Sequence, residues 1–284
     1  MSLILKAIHA IIDWLLYTSI FAACCAVGLC MGTEQLLLND VVPLYSPLHL
    51  LVFGSTLFVY NVHYLVKKST PEISDRFAWS QYHRLWHYLL TTVGVISCGF
   101  AVFQLPLSIL YTCIILGVLS FSYSIPLLPF KDKKRLKDFG WIKILVLTTV
   151  WTIVTSVLPI LYHGKEISAY PYEILMRFVF MFTLCVAFDI RDMQTDMDAG
   201  IATLPNMIGL KGSYRVMTVS MLLFILMCII QYFRYPSAGR LAGELIVAMA
   251  TKLSIDYARK YPSDRAYLGL VDGMMLLYAV LVMW

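Results

Sequence analysis

The sequence predicts an all-α polytopic membrane protein with nine transmembrane helices and a cytoplasmic N-terminus. Three observations predict it. Hydrophobic residues fill 60% of the 284 positions and charged residues only 14%, where a soluble domain holds about 45–50% and 25%. The mean hydropathy is +0.77. The apolar residues gather into long continuous runs, which fit helices rather than the short alternating segments of a closed barrel.

A helical span needs about 20 mostly apolar residues, and nine runs qualify: 8–31, 47–66, 86–104, 106–128, 140–162, 171–190, 214–233, 239–256 and 266–284. The first follows Lys6 and carries Asp13. Lys67, Lys68, Arg76 and Arg84 separate the second from the third. The fourth leads into a basic stretch from Lys131 to Lys143, and Lys165 follows the fifth. The sixth ends in an acidic cluster, with Arg191, Lys211 and Arg215 beyond it. The eighth carries Glu244 and Lys252. Asp13 and Glu244 are costly against lipid, so both are expected to face the bundle.

Of the 22 Lys and Arg residues, eighteen fall on one side of this arrangement and four, Lys165, Arg177, Arg234 and Arg240, on the other. Basic residues stay in the cytoplasm, which sets the orientation and places residues 189–205 on the cytoplasmic face. The expected location is the inner (plasma) membrane. The net charge of +5 lies between spans and reads as topology, so no nucleic-acid partner is expected. The seven cysteines lie in apolar runs without a C-x-x-C pair and read as buried free thiols. The N-terminal run is too long for a cleavable signal and lacks a small-residue cleavage site. One polytopic domain over 1–284 is expected; oligomeric state is left open.

The sequence DIRDMQTDMDAGIATLP, residues 189–205, carries the chemistry. Pro171 to Phe188 hold only Glu173 and Arg177 as charges, and four carboxylates follow within ten residues. If the sixth helix continues through Asp196, then Asp189, Asp192 and Asp196 (i, i+3, i+7) share one stripe, while Arg191 and Asp198 point away. Like charges at that spacing repel. A hard divalent cation such as Mg²⁺ relieves them and commonly sits between carboxylates and a substrate's phosphates. Gly200 ends the helix in this reading and Pro205 starts the next. The bland alternative is a solvated helix end.

The pattern D-x-x-D-x-x-x-D-x-x-x-G-x-x-T-L-P, with Gly209 beyond it, resembles the second aspartate-rich motif of the UbiA family of intramembrane prenyltransferases. FSYSIPLLPFKDKKRLKDFGW, residues 121–141, resembles the family's Tyr-Ser-x-Pro segment with its basic loop. The resemblance implies a UbiA-like bundle that binds a polyprenyl diphosphate. Mg²⁺ would bridge the diphosphate to Asp189, Asp192 and Asp196, and ionisation would yield an allylic cation that an aromatic or lipid acceptor captures. Tyr123, Lys131 and Lys143 are then candidates to hold the diphosphate. The basic run also serves topology.

One region departs. The family's first motif, N-D-x-x-D, corresponds here to YNVHYLVKKS, residues 60–69. Asn61 remains, but Val62, Leu65 and Ser69 stand where aspartates are expected. Asn61, Tyr64 and Lys68 repeat the i, i+3, i+7 spacing with donors and a cation, so all three are candidate substrate-binding residues. Lys68, with Lys67, would meet the diphosphate in place of a metal; alternatively both lysines snorkel to the surface. Glu72 and Asp75 are weaker candidates for a replacement ligand. His83 and His87 have a zinc-like spacing without a third ligand and read as an interfacial pair, and His63 has no catalytic role.

Prenyl transfer to an aromatic or lipid acceptor is the leading expectation. A terpene cyclase and a non-catalytic isoprenoid-lipid-binding protein are the alternatives.

Overall fold

Ser19 shows where the sequence pattern misleads. In the computed structural model, which describes residues 3–38, 42–66, 74–124 and 140–283, its backbone is left-handed (φ 64°). That residue breaks the first expected span in two. α1 (Leu3–Tyr17) ends there and α2 (Ile20–Leu38) begins. The spanning helix is Ile20–Leu38, not 8–31. α1 keeps Ile4, Ile8 and Ile11 exposed, and Asp13 near its end pairs with Arg265 at 2.6 and 2.8 Å.

The other elements follow the expected order. They are α3 (Pro47–Val66), α4 (Asp75–Tyr82), α5 (Arg84–Val102), α6 (Leu107–Ser124), α7 (Trp141–Thr152), α8 (Leu158–Tyr162), α9 (Pro171–Arg191), α10 (Met193–Asp198), α11 (Leu204–Arg234), α12 (Ala238–Lys260) and α13 (Asp272–Val282). π-helical turns at Ile153–Val157 and Ala266–Val271 join α7 to α8 and lead into α13. Among the described residues there is no strand.

Among the described residues, five helices are long and apolar enough to cross a membrane: Ile20–Leu38, Pro47–Val66, Arg84–Val102, Trp141–Tyr162 and Leu204–Arg234. Leu107–Ser120 and Ala266–Val282 are shorter apolar helices. α9 and α12 are long but charged, and Glu173, Arg177, Arg240 and Glu244 turn inward while Lys252 of α12 stays exposed. Arg240 of α12 makes a two-point ion pair with Glu173 of α9 at 2.8 and 2.9 Å, and its Nε donates to the buried Glu244 at 2.9 Å. The buried Arg177 guanidinium lies 4.6 Å from the centre of the Tyr278 ring. Glu244 therefore faces the bundle as expected. The outer surface is apolar: Leu85, Val95, Ile96 and Phe100 of α5 and Ile114, Ile115 and Val118 of α6 are exposed, as lipid-facing side chains must be.

Small residues set a close helix crossing. A β-carbon at Gly54 of α3 would lie 2.9 Å from the Gly94 carbonyl oxygen of α5, and one at Gly94 would lie 2.6 Å from the Gly54 oxygen. Backbone contact this close is how membrane helices pack without a hydrophobic drive between them. The core runs from Leu29 of α2 through Phe180 of α9 and Phe224 of α11 to Tyr278 of α13.

Candidate active site

The site is built where α9 stops. Asp192 leaves the helical conformation (φ −88°, ψ 4°), and α10 restarts at Met193. The expected helix through Asp196 is therefore interrupted. Asp189 and Asp196 still meet, because both reach one cation. Lys143 Nζ lies 3.0 Å from Asp189 Oδ1 and 2.7 Å from Asp196 Oδ2. All three residues are buried, at 8%, 4% and 8% exposure.

Local backbone geometry delivers Lys143 to that point. Gly140 has a φ of 55°, and a β-carbon there would lie 2.1 Å from the Ala202 carbonyl oxygen. The start of α7 thus packs directly on the loop that follows α10. Gly200 closes α10 with a φ of 68°, and Pro205 sits in the first turn of α11, both as the sequence predicts.

One oxygen is left over. Asp189 Oδ2 is buried with no hydrogen-bond partner among the described residues. Asp192 is more open, and its carboxylate accepts from its chain neighbour Arg191, Nε at 2.8 Å and Nη2 at 3.1 Å. Arg191, the last residue of α9, does not point away: its guanidinium turns inward, 4.8 Å from the Phe188 ring centre and 5.8 Å from that of Tyr267. Asp198 is exposed and pairs with Gln194 at 3.0 Å. Tyr123, at the end of α6, is within electrostatic reach of Lys143, Asp189 and Asp192.

The donor set suits a hard divalent ion. Three carboxylates face two cations, Lys143 and Arg191, and one buried oxygen is unengaged. Among the described residues no three acidic, histidine or cysteine side chains are grouped so as to hold a metal ion by themselves. An ion here would share its ligands with a substrate's phosphates, as Mg²⁺ usually does.

The degenerate first motif looks different. Asn61 is fully buried and its amide is wholly engaged. Nδ2 donates to Thr18 O at 3.0 Å and Leu57 O at 2.8 Å, and Oδ1 accepts from His87 Nδ1 at 2.6 Å. Asn61 therefore pins the α1–α2 elbow. Arg76 does the same from α4, donating to Tyr17 O at 3.3 Å and Ser19 Oγ at 2.6 Å. Its guanidinium lies 4.2 Å over the Tyr64 ring, which stacks on His87. Tyr64 also lies within electrostatic reach of Arg191, so both motif regions share one end of the bundle. Lys67, Lys68, Glu72 and Lys131 lie outside the described residues. Asp75 opens α4. His83 stacks on Trp79, and His87 is buried on Asn61 with its ring edge-on to the same Trp79.

The profile of the UbiA prenyltransferase family matches residues 81–270. The chain belongs to that family. The matched region includes the acidic motif and begins after the degenerate one. Among solved structures, a UbiA homolog from Archaeoglobus fulgidus bound to Cd²⁺ superposes with a TM-score of 0.62 at 9% identity, covering 95% of this chain and 99% of that one. At that identity the likeness shows the UbiA-like fold. No curated protein matches in sequence. UbiA membership and the apolar helices make this an integral membrane protein of the prenyltransferase type.

Sequence reasoning missed Arg76, whose partners sit at the α1–α2 break, and Arg191, which curls onto Asp192 and the Tyr267 ring. It also missed Glu34. That buried carboxylate accepts from His49 Nε2 at 2.5 Å and His163 Nε2 at 2.9 Å, on the order of 20 Å along α2 from the elbow. No spacing signal links residues 34, 49 and 163.

Proposed function

We propose that this UbiA-family protein transfers a prenyl group from a polyprenyl diphosphate to an aromatic or lipid acceptor within the membrane. The observation that carries the reading is the buried Asp189–Lys143–Asp196 cluster with its unengaged carboxylate oxygen. Nine spans with a cytoplasmic N-terminus fit the charge distribution, with eighteen basic residues on one face. The whole chain acts as one domain in this reading.

The residues have distinct tasks. Lys143 and Tyr123 hold diphosphate oxygens, joined by Lys131 and by Lys68 beyond the end of α3. Asp189, Asp192 and Asp196 would hold Mg²⁺. When bound, the ion supplies Lewis-acid stabilisation of charge developing on the leaving diphosphate. The C1–O bond breaks with its electron pair on the diphosphate. The allylic cation is left in an apolar bundle that excludes water, and the acceptor's nucleophilic atom bonds to C1.

The engaged amide of Asn61 favours a second reading, a non-catalytic isoprenoid-lipid binder that lost turnover with its first motif. Purified protein incubated with farnesyl and geranylgeranyl diphosphates, with and without Mg²⁺, separates the two. The transferase reading expects Mg²⁺-dependent stabilisation and slow diphosphate release. Stabilisation without release at any chain length, with native lipids supplied, supports the binder.

A further inference from the structure

Asp272 has no task in the chemistry above. It opens α13 directly after the π-helical turn Ala266–Val271, and such turns recur at functional sites. Its backbone carbonyl accepts from Cys25 Sγ at 3.5 Å. Its carboxylate has no hydrogen bond or ion pair among the described residues, although Asp272 lies inside a bundle that pairs Glu34, Glu173, Glu244 and Asp189. An ionisable side chain left unpaired at membrane depth is a candidate functional group.

The surroundings locate it. Arg76 of α4 and Arg191 of α9 are the cations in electrostatic reach of Asp272. Tyr60 of α3, Cys25 of α2 and Cys185 of α9 lie within its reach in turn. Elements on several sides thus enclose it, yet Asp272 is not buried.

Depth follows from two links. Tyr267, five residues earlier, packs its ring 5.9 Å from that of Phe188 and lies under Arg191, level with the acidic motif. Asp272 follows at the end of that π-helical turn, farther from the motif's level. Cys185, one turn before Asp189 on α9, lies in reach of both Asp189 and Asp272. Asp272 therefore lies about one turn deeper than the acidic motif, where the prenyl C1 would lie if the diphosphate sits at Asp189 and Lys143.

We infer that Asp272 is the acceptor-side catalytic residue, accepting the proton that an acidic O–H or aromatic C–H acceptor loses on prenylation. The inference rests on the transferase reading. The C1–O bond breaks with its pair on the diphosphate, a bond forms between C1 and the acceptor atom, and the acceptor's proton passes to an Asp272 carboxylate oxygen.

The test uses the full chain in nanodiscs of total lipid extract from the producing cells, with radiolabelled geranylgeranyl diphosphate and Mg²⁺. Asp272→Asn is expected to keep diphosphate affinity within about twofold and to lose transfer to lipid-extractable product about 100-fold, the scale of a lost general base. Asp272→Glu should recover part of it. Asp272→Asn transferring like wild type, or losing diphosphate affinity as Asp189→Asn does, would overturn the assignment. A second readout needs no turnover: dicyclohexylcarbodiimide should attach to Asp272, and geranylgeranyl diphosphate should protect it. Absent labelling, or labelling without protection, overturns the placement even in an active enzyme. Protected labelling in a wild type that never transfers overturns the transferase reading, and with it the proton-accepting role.

Discussion

The ends of α3 and α9 carry the same spacing and have been put to different uses. In sequence, Asn61, Tyr64 and Lys68 repeat the i, i+3, i+7 pattern of Asp189, Asp192 and Asp196, and Asn61 and Tyr64 lie at the same end of the bundle as the aspartates. At α3 the first member is locked: Asn61 makes three hydrogen bonds, to the α1–α2 elbow, its own helix and His87. At α9 the first member keeps a buried oxygen without a partner. A side chain whose capacity is fully engaged holds structure, and one with capacity left over can hold a ligand. Spacing alone does not separate these cases; hydrogen-bond accounting does.

The largest expected effect tests the acidic side. Lys143→Met leaves Asp189 and Asp196 buried without their cation and should cost about 3–5 kcal/mol of stability, read as a lower Tm in detergent. An unchanged Tm would mean that Lys143 does not hold the cluster. Next is Asp189→Asn, which keeps the side chain's shape and removes its charge. Diphosphate release should fall about 10²–10³-fold, as when an electrostatic stabiliser of the transition state is removed, while the fold stays intact by circular dichroism.

The α3 side should respond in the opposite sense. Asn61→Ala strands the Thr18 carbonyl and the His87 ring and should cost about 1–3 kcal/mol of stability. Its affinity for geranylgeranyl diphosphate, measured at a temperature where it is folded, should stay within about threefold of wild type, less than one hydrogen bond's worth. Loss of affinity without loss of stability would reverse the comparison and make Asn61 a ligand. The smallest effect belongs to Asp198, which is exposed beside the cluster: Asp198→Asn should change stability by less than about 0.5 kcal/mol and leave diphosphate release as in wild type.

The sequence made the acidic side easier to read than the elbow. Asp189, Asp196, Gly200 and Pro205 act through local spacing, and spacing is visible in a string of letters. Ser19 is not: nothing marks a serine for left-handed backbone, so one run of apolar residues concealed two helices. The same break explains Arg76 and Asn61, whose partners are carbonyls at that elbow. Arg191 faces inward although helical spacing sets it opposite Asp189, because its long side chain curls onto Asp192 and the Tyr267 ring. Lys143 was recognisable as a basic residue near the motif, but its position between Asp189 and Asp196 depends on Gly140 packing against Ala202, far away in the chain. Glu34 and Asp272 depend on long-range packing and on a π-helical turn that has no sequence signature here.

The most direct test of the central claim is diphosphate release from geranylgeranyl diphosphate in native-lipid nanodiscs, compared among wild type, Asp189→Asn and Asn61→Ala with and without Mg²⁺. The account predicts Mg²⁺-dependent release by wild type and by folded Asn61→Ala, and its loss in Asp189→Asn. Release that persists in Asp189→Asn, or that disappears in folded Asn61→Ala, would contradict it.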